Sequence, residues 1–224
     1  MRTTHPADEH ETRQRLLDAG ARLFAERGFK DVSIREICAQ AGSANVAAVN
    51  YYFRDKVGLY RELLEYMVDE VWRPRREQLE YSLEGKTPEE KLYLYVRNFL
   101  ADVMGENQGE RAIMLGKVLH REMVEPSPEF EIVVRKGMQP NFRLLTGIIG
   151  EVAALQPDDL RTINCANSTM GQCLIFGSAK QLSKYFAPGM EFTSEVIDGI
   201  ARHVTQFSLA GIRATAASSI HVHP

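Results

Sequence analysis

Long apolar runs are missing from this chain of 224 residues. Its most apolar stretch, Leu144 to Leu155, is broken by Gly147, Gly150 and Glu151, whereas a membrane-spanning helix needs roughly 18 uncharged residues. Met1 to Glu11 lacks the apolar segment of a signal peptide. Both absences point to a soluble cytoplasmic protein with no membrane partner. Cysteine is scarce, with Cys38, Cys165 and Cys173 odd in number and no C-x-x-C pair. On one helix Cys165 and Cys173 stand about 12 Å apart along the axis, too far for a disulfide, so all three read as small buried apolar residues. His5, His10, His221 and His223 sit near the two ends at no metal-binding spacing, and no metal or cofactor is expected. No nucleophile with a base and no paired carboxylates stand out, so catalysis is not expected. A basic excess is lacking as well. Lys plus Arg total 27 against 30 Asp plus Glu, a net charge of −3, so any nucleic-acid site must be local.

What is present is the material of a packed core: 44% hydrophobic and 25% charged residues, with only 9 prolines and 16 glycines. Helical periodicity dominates, and no convincing strand pattern interrupts it. Leu16, Gly20, Leu23, Phe24 and Arg27 form the stripe of an amphipathic helix, which Gly28 should stop in a left-handed conformation with Phe29 packing back on Phe24. Ser33 with Glu36 forms a capping box, and Val32 with Ile37 a hydrophobic staple, opening a short helix to about Ala41. Asn45 is the expected N-cap of a third helix, with Val46, Val49 and Phe53 facing inward. Asp55 caps a fourth, whose Leu59, Leu63, Met67 and Val71 face inward until Pro74.

Further starts follow at Thr87-Pro88-Glu89-Glu90, Glu110 and Ser127-Pro128, the last helix being kinked or split by Pro140. Two long helices at about 159–186 and 194–213 close the chain. The expected organisation is a flexible arm at 1–11, a head of short helices at 12–60, a larger helical domain at 61–213 and a flexible tail at 214–224.

Two short helices around a turn containing Gly42 have the spacing of a helix-turn-helix, whose second helix enters the DNA major groove. The outward face of that helix, Ala47, Ala48 and Tyr51, carries almost no charge. Its alanines permit close approach to base edges and thymine methyl groups; Asn50 can bond adenine or phosphate, and Tyr51 and Tyr52 present hydroxyls at backbone height. Lys56 suits a phosphate, as does the helix start at Ser33. The sequence TRQRLLDAGARLFAERGFKDVSIREICAQAG, followed by NVAAVNYYFRDKVGLY, resembles the DNA-binding head of TetR-type transcriptional regulators over residues 12–60. NVAAVNYYF with the later REMVEPSPEFE is similar to a subgroup whose C-terminal half senses ligands.

The resemblance implies a recognition helix at Asn45–Tyr52, phosphate contacts from Asn50, Tyr51, Tyr52 and Lys56, and phosphate or base contacts from Ser33 and Arg35. Departures from the family pattern are Gly20 in place of alanine, a turn Gly42-Ser43-Ala44 one residue longer, and Asn50 and Tyr52 where tyrosine and histidine are usual. Charge favours the head mildly, since residues 1–60 hold 9 Lys plus Arg and 8 Asp plus Glu.

For a small-molecule effector, the candidate contacts are His120 and Arg121 with Met114, Met123, Phe142 and Met170 around an apolar pocket. Ile163, Met170, Leu174 and Gly177 of one late helix, with Val204 and Phe207 of the other, form stripes suited to a homodimer interface, which the resemblance also implies. The leading reading is therefore a ligand-responsive dimeric repressor of double-stranded DNA. The other is an all-α small-molecule-binding protein or enzyme whose head makes protein contacts.

Overall fold

The computed structural model describes residues 6–42, 46–106, 109–186, 189 and 191–218. Among them there is no strand, and the expected all-α class holds. In chain order the helices are α1 (Pro6–Arg27), α2 (Ile34–Gln40), α3 (Ala47–Phe53), α4 (Lys56–Tyr66), α5 (Arg73–Ser82), α6 (Pro88–Met104), α7 (Glu110–Val124), α8 (Phe130–Ile132), α9 (Gln139–Ala153), α10 (Leu160–Phe186) and α11 (Ser194–Ala217). π-Helical turns at Met67–Trp72 and Val133–Met138 join α4 to α5 and α8 to α9.

Contacts gather the chain into two compact units, Met1–Pro74 with Gly109–Gly137, and Arg75–Gln108 with Met138–Pro224. Residues 61–74 and α7 thus group with the helix-turn-helix, because α4 buries Leu59, Tyr60, Leu63 and Leu64 and the turn after it buries Met67 and Val68.

Local start and stop signals act largely as their chemistry requires. Gly28 ends α1 at φ 83°, its N–H bonding the Phe24 carbonyl at 2.8 Å, and the Phe24 and Phe29 rings lie 6.0 Å apart. Both capping boxes form, Ser33 with Glu36 and Thr87 with Glu90, and Asp55 accepts from the Gly58 N–H at 2.7 Å. Other expectations need correction. Pro6, tolerated in a first helical turn, starts α1 inside the supposed arm, and α11 runs on to Ala217 inside the supposed tail. Val46 is not part of the inward face: it is the N-cap of α3, bonds no side chain there and is 38% exposed. Asn45 lies outside the described residues, as do Ser43 and Ala44 of the turn. Ser127-Pro128 precedes a helix that starts at Phe130 and runs without a break through the π turn into α9; the Ser127 hydroxyl accepts the Glu129 N–H at 3.3 Å and donates to Glu122.

Neither Pro74 nor Pro140 ends a helix. A proline inside a helix lacks an N–H and crowds the carbonyl four residues back. Each here follows a π turn by two residues, as Trp72-Arg73-Pro74 and Met138-Gln139-Pro140, and the wider loop accommodates the ring. In the first turn the Arg73 N–H reaches back five residues to the Val68 carbonyl.

In the second unit, Leu92, Val96, Leu100 and Met104 of α6 pack with Leu145, Ile148 and Ile149 of α9, Cys173 of α10, and Ile197, Ala201, Val204 and Ile212 of α11. The expected interface residue Val204 is fully buried in this core, so it cannot face a second copy. Gly177 also serves the chain's own packing: a Cβ there would lie 3.1 Å from the Val103 side chain, so its absence lets α10 approach α6. Cys38 and Cys173 are buried as expected, and burial pushes the Cys173 thiol up to about 12; Cys165 is half-buried.

Candidate nucleic-acid interface

The first unit supplies the scaffold for α3. Val49 and Phe53 are buried, fixing the helix's rotation and leaving Ala47, Asn50 and Tyr51 exposed, with Ala48 and Tyr52 half-buried beside them. Tyr51 is 71% exposed and meets Tyr52 edge to face, ring centres 4.9 Å apart. Beneath, the Arg13 guanidinium lies 5.5 Å from the Phe53 ring centre and pairs with Glu62.

Glycines set the closest approaches. At Gly20 a Cβ would lie 2.7 Å from Leu59 Cδ2, so the bare glycine serves the packing of α1 on α4. At Gly58 a Cβ would fall 2.0 Å from the Phe53 carbonyl oxygen, which is backbone and cannot swing aside. This contact fixes the α3–α4 corner. Arg54, between the two helices, takes φ 72°, a strained value for a residue with a side chain.

Two expected phosphate contacts have other work. The Lys56 ammonium donates to the carbonyls of Phe29 at 2.9 Å and Val32 at 3.0 Å and lies 4.3 Å from the Phe29 ring centre; loss of water lowers its pKa. It ties the α1–α2 turn to α4. Lys56→Met should therefore cost about 1–3 kcal/mol through two unsatisfied carbonyls. Thermal melts should show this, while the slope of log affinity against log salt stays unchanged; a phosphate contact would lower that slope by about one.

Ser33 donates its hydroxyl to Glu36 at 2.7 Å and accepts the Glu36 N–H. Those bonds, with Arg27 at 2.7 Å, hold the Glu36 carboxyl down to about 2. Arg35 and Arg54 are exposed and form no ion pair among the described residues. Arg54, the C-cap of α3, gave no sequence signal beyond its charge.

The segment from Arg121 to Glu129 clasps this head. Arg121 donates to the carbonyls of Ala25 and Glu26 at the end of α1, where a cation also suits the helix dipole. Glu125 pairs with Lys30 at 2.6 Å and Glu129 with Arg61 at 2.8 Å. Glu122, only 1% exposed, accepts the Tyr60 hydroxyl at 2.6 Å on one oxygen and the Ser127 N–H and hydroxyl at 3.1 and 2.9 Å on the other. Burial and the Glu122 charge push the Tyr60 pKa up, so its hydroxyl remains a donor.

The expected effector contacts divide between the two units. Arg121 is committed to α1, His120 is exposed and Met123 is 50% exposed, with Met114 half-buried in the same unit. Phe142 and Met170 pack against the core of the second unit. A surface groove of about 270 Å³ in that unit, lined by Glu89, Glu90, Tyr93, Arg202, Thr205, Gln206 and Leu209, includes none of the six. Among the described residues no cluster of His, Cys, Asp or Glu could hold a metal, and no helix is long and apolar enough to cross a membrane.

Residues 16–63 match the model for bacterial regulatory proteins of the tetR family. Residues 88–212 match that for the C-terminal domain of the HTH-type transcriptional dual regulator CecR. The chain is 27% identical to the dual regulator CecR of Shigella flexneri over 179 residues, 76% of this chain and 78% of that one. A TetR-family transcriptional regulator from Mesorhizobium loti MAFF303099 has a TM-score of 0.60 at 17% identity, covering 90% of this chain and 96% of its own. The transcriptional regulator FadR of Bacillus subtilis, solved with stearoyl-CoA, has a TM-score of 0.61 at 16% identity, covering 88% and 98%. Identities this low relate the fold alone.

Proposed function

This chain belongs to the TetR family of bacterial regulatory proteins and carries a CecR-type C-terminal domain; from that premise we propose that it is a ligand-responsive repressor that binds a pseudo-palindromic operator as a dimer. The observation that carries the reading is the exposed face of α3. Ala47, Ala48, Asn50 and Tyr51 present small, amide and hydroxyl groups without a charge, and Arg35 and Arg54 stand exposed on either side of it in sequence. Small groups let base edges come close, while the arginines supply cations for phosphates.

Ala47→Asp tests this with a single charge. It should abolish binding to a duplex selected from a random DNA pool while circular dichroism keeps its helical signal. Unchanged affinity would mean that another surface meets DNA.

Dimerisation is proposed through the exposed apolar face of α10 and α11. Leu174 is 39%, Ile175 62% and Phe207 65% exposed, an apolar patch in need of cover. Gly171 and Gly211 have nothing within 4 Å of a Cβ position, leaving room for a close helix crossing. A two-fold dimer should protect two half-sites with recognition-helix centres about 34–36 Å apart, or a multiple of that. Phe207→Glu should give a monomer by sedimentation and weaken operator binding, because two carboxylates would face each other near the axis; a persistent dimer would exclude this face.

The proposed effector acts on the helical body and releases DNA by preferring one conformation of the dimer over another. Operator DNA must then weaken effector binding by the same factor, which titration in both orders measures.

A further inference from the structure

The two π turns lie at corresponding places. The chain passes between its compact units after Pro74, after Gln108 and after Gly137; the first of these passages follows Met67–Trp72 by two residues and the last falls within Val133–Met138. The turns also touch each other within the first unit. A Cβ on Gly137 would sit 2.5 and 2.6 Å from Cε3 and Cζ3 of Trp72 and 3.3 Å from Cγ2 of Val68. Gly137 has no left-handed φ that would require glycine, so the approach of the indole is the reason for it. Val68 and Val133 beside them are buried to 1% and 0% exposure.

A π turn holds one more residue than the α turn it replaces, so gaining or losing it rotates everything beyond by about 100° about the helix axis. Each turn is held open by a proline two residues on, and the indole on Gly137 joins them. We propose that the paired turns are one mechanical joint, in which Trp72 and Gly137 make the two helices change register together when the head binds operator DNA. This rests on the reading of the head as a DNA-binding module. A pair that merely fills space would not respond to DNA.

Trp72 is the sole tryptophan of the chain, so its fluorescence reports on the joint without a label. In the full-length protein, adding a duplex selected from a random pool should shift Trp72 emission in step with binding followed by anisotropy of the labelled duplex. Gly137→Ala should raise amide exchange in residues 67–73 and 133–138 together and lower duplex affinity on the order of tenfold. Trp72→Leu combined with Gly137→Ala removes the indole the new methyl would strike. It should recover most of the lost protection and affinity, measured against Trp72→Leu alone.

Emission that stays fixed while the wild-type protein binds the duplex overturns the joint and leaves the regulatory reading standing. So does exchange that rises in one turn only. A wild-type protein that selects no DNA overturns the regulatory reading and the coupling with it. If Gly137→Ala does not fold, the wild-type emission titration and the exchange of the double variant still decide.

Discussion

Gly58→Ala should disrupt the head more than any other single methyl added to it. The new Cβ would meet the Phe53 carbonyl oxygen at 2.0 Å, and the obstacle is backbone at the end of the recognition helix. Relief requires α3 and α4 to part, which uncovers Phe53, now 4% exposed, and pulls the Gly58 N–H from Asp55. Overpacking of this kind costs about 3 kcal/mol. The expected result is a lowered first transition in thermal unfolding and loss of operator binding, with the dimer intact by sedimentation. Normal stability and affinity would show that the α3–α4 corner tolerates the methyl and is not what fixes the recognition helix.

Glu122→Ala should be comparably damaging for a different reason. The buried carboxylate receives three hydrogen bonds, and alanine leaves the Tyr60 hydroxyl and both Ser127 donors without an acceptor in a water-poor site. Unsatisfied buried groups cost about 1–3 kcal/mol each, so a loss of about 3 kcal/mol or more is expected in urea unfolding. Tyr60→Phe removes one of the three bonds and should cost about 1 kcal/mol. The order Glu122→Ala well below Tyr60→Phe is the check, since equal effects would mean that Ser127 contributes nothing. Because Tyr60 also packs between Phe24 and Phe29, at ring distances of 4.7 and 4.8 Å, the alanine variant should loosen the α1–α4 contact and weaken DNA binding.

Lys56 and Pro74 show what reading the chain in one dimension leaves out. A lysine in the first turn of a helix is poorly placed for the helix dipole, which suggested an external anion. Its actual acceptors, the carbonyls of Phe29 and Val32, lie more than twenty residues earlier, and backbone oxygens leave no trace in residue type. Pro74 carries a stop signal, yet the helix absorbs it by widening the preceding turn. Val204 followed the same apolar stripe as Phe207, but one is fully buried and the other 65% exposed. Periodicity identifies an apolar face and is silent on whether the chain or a second copy covers it.

Short-range signals in the chain were enough for the helical class, the capping boxes at Ser33 and Thr87, the stop at Gly28, and the rotation of α3 that buries Val49 and Phe53. Each depends on residues within a few positions of one another, where backbone geometry is repetitive and hydrogen-bond partners are near in sequence. It takes the packed helices to show that Glu122 accepts from Tyr60, that Arg121 closes the end of α1, and that Gly137 makes room for Trp72. Those pairs are separated by 62, 96 and 65 positions (137 − 72 = 65 for the last). Their meeting follows from how whole helices cross, and a helix crossing is settled by the summed shape of many side chains rather than by any local pattern.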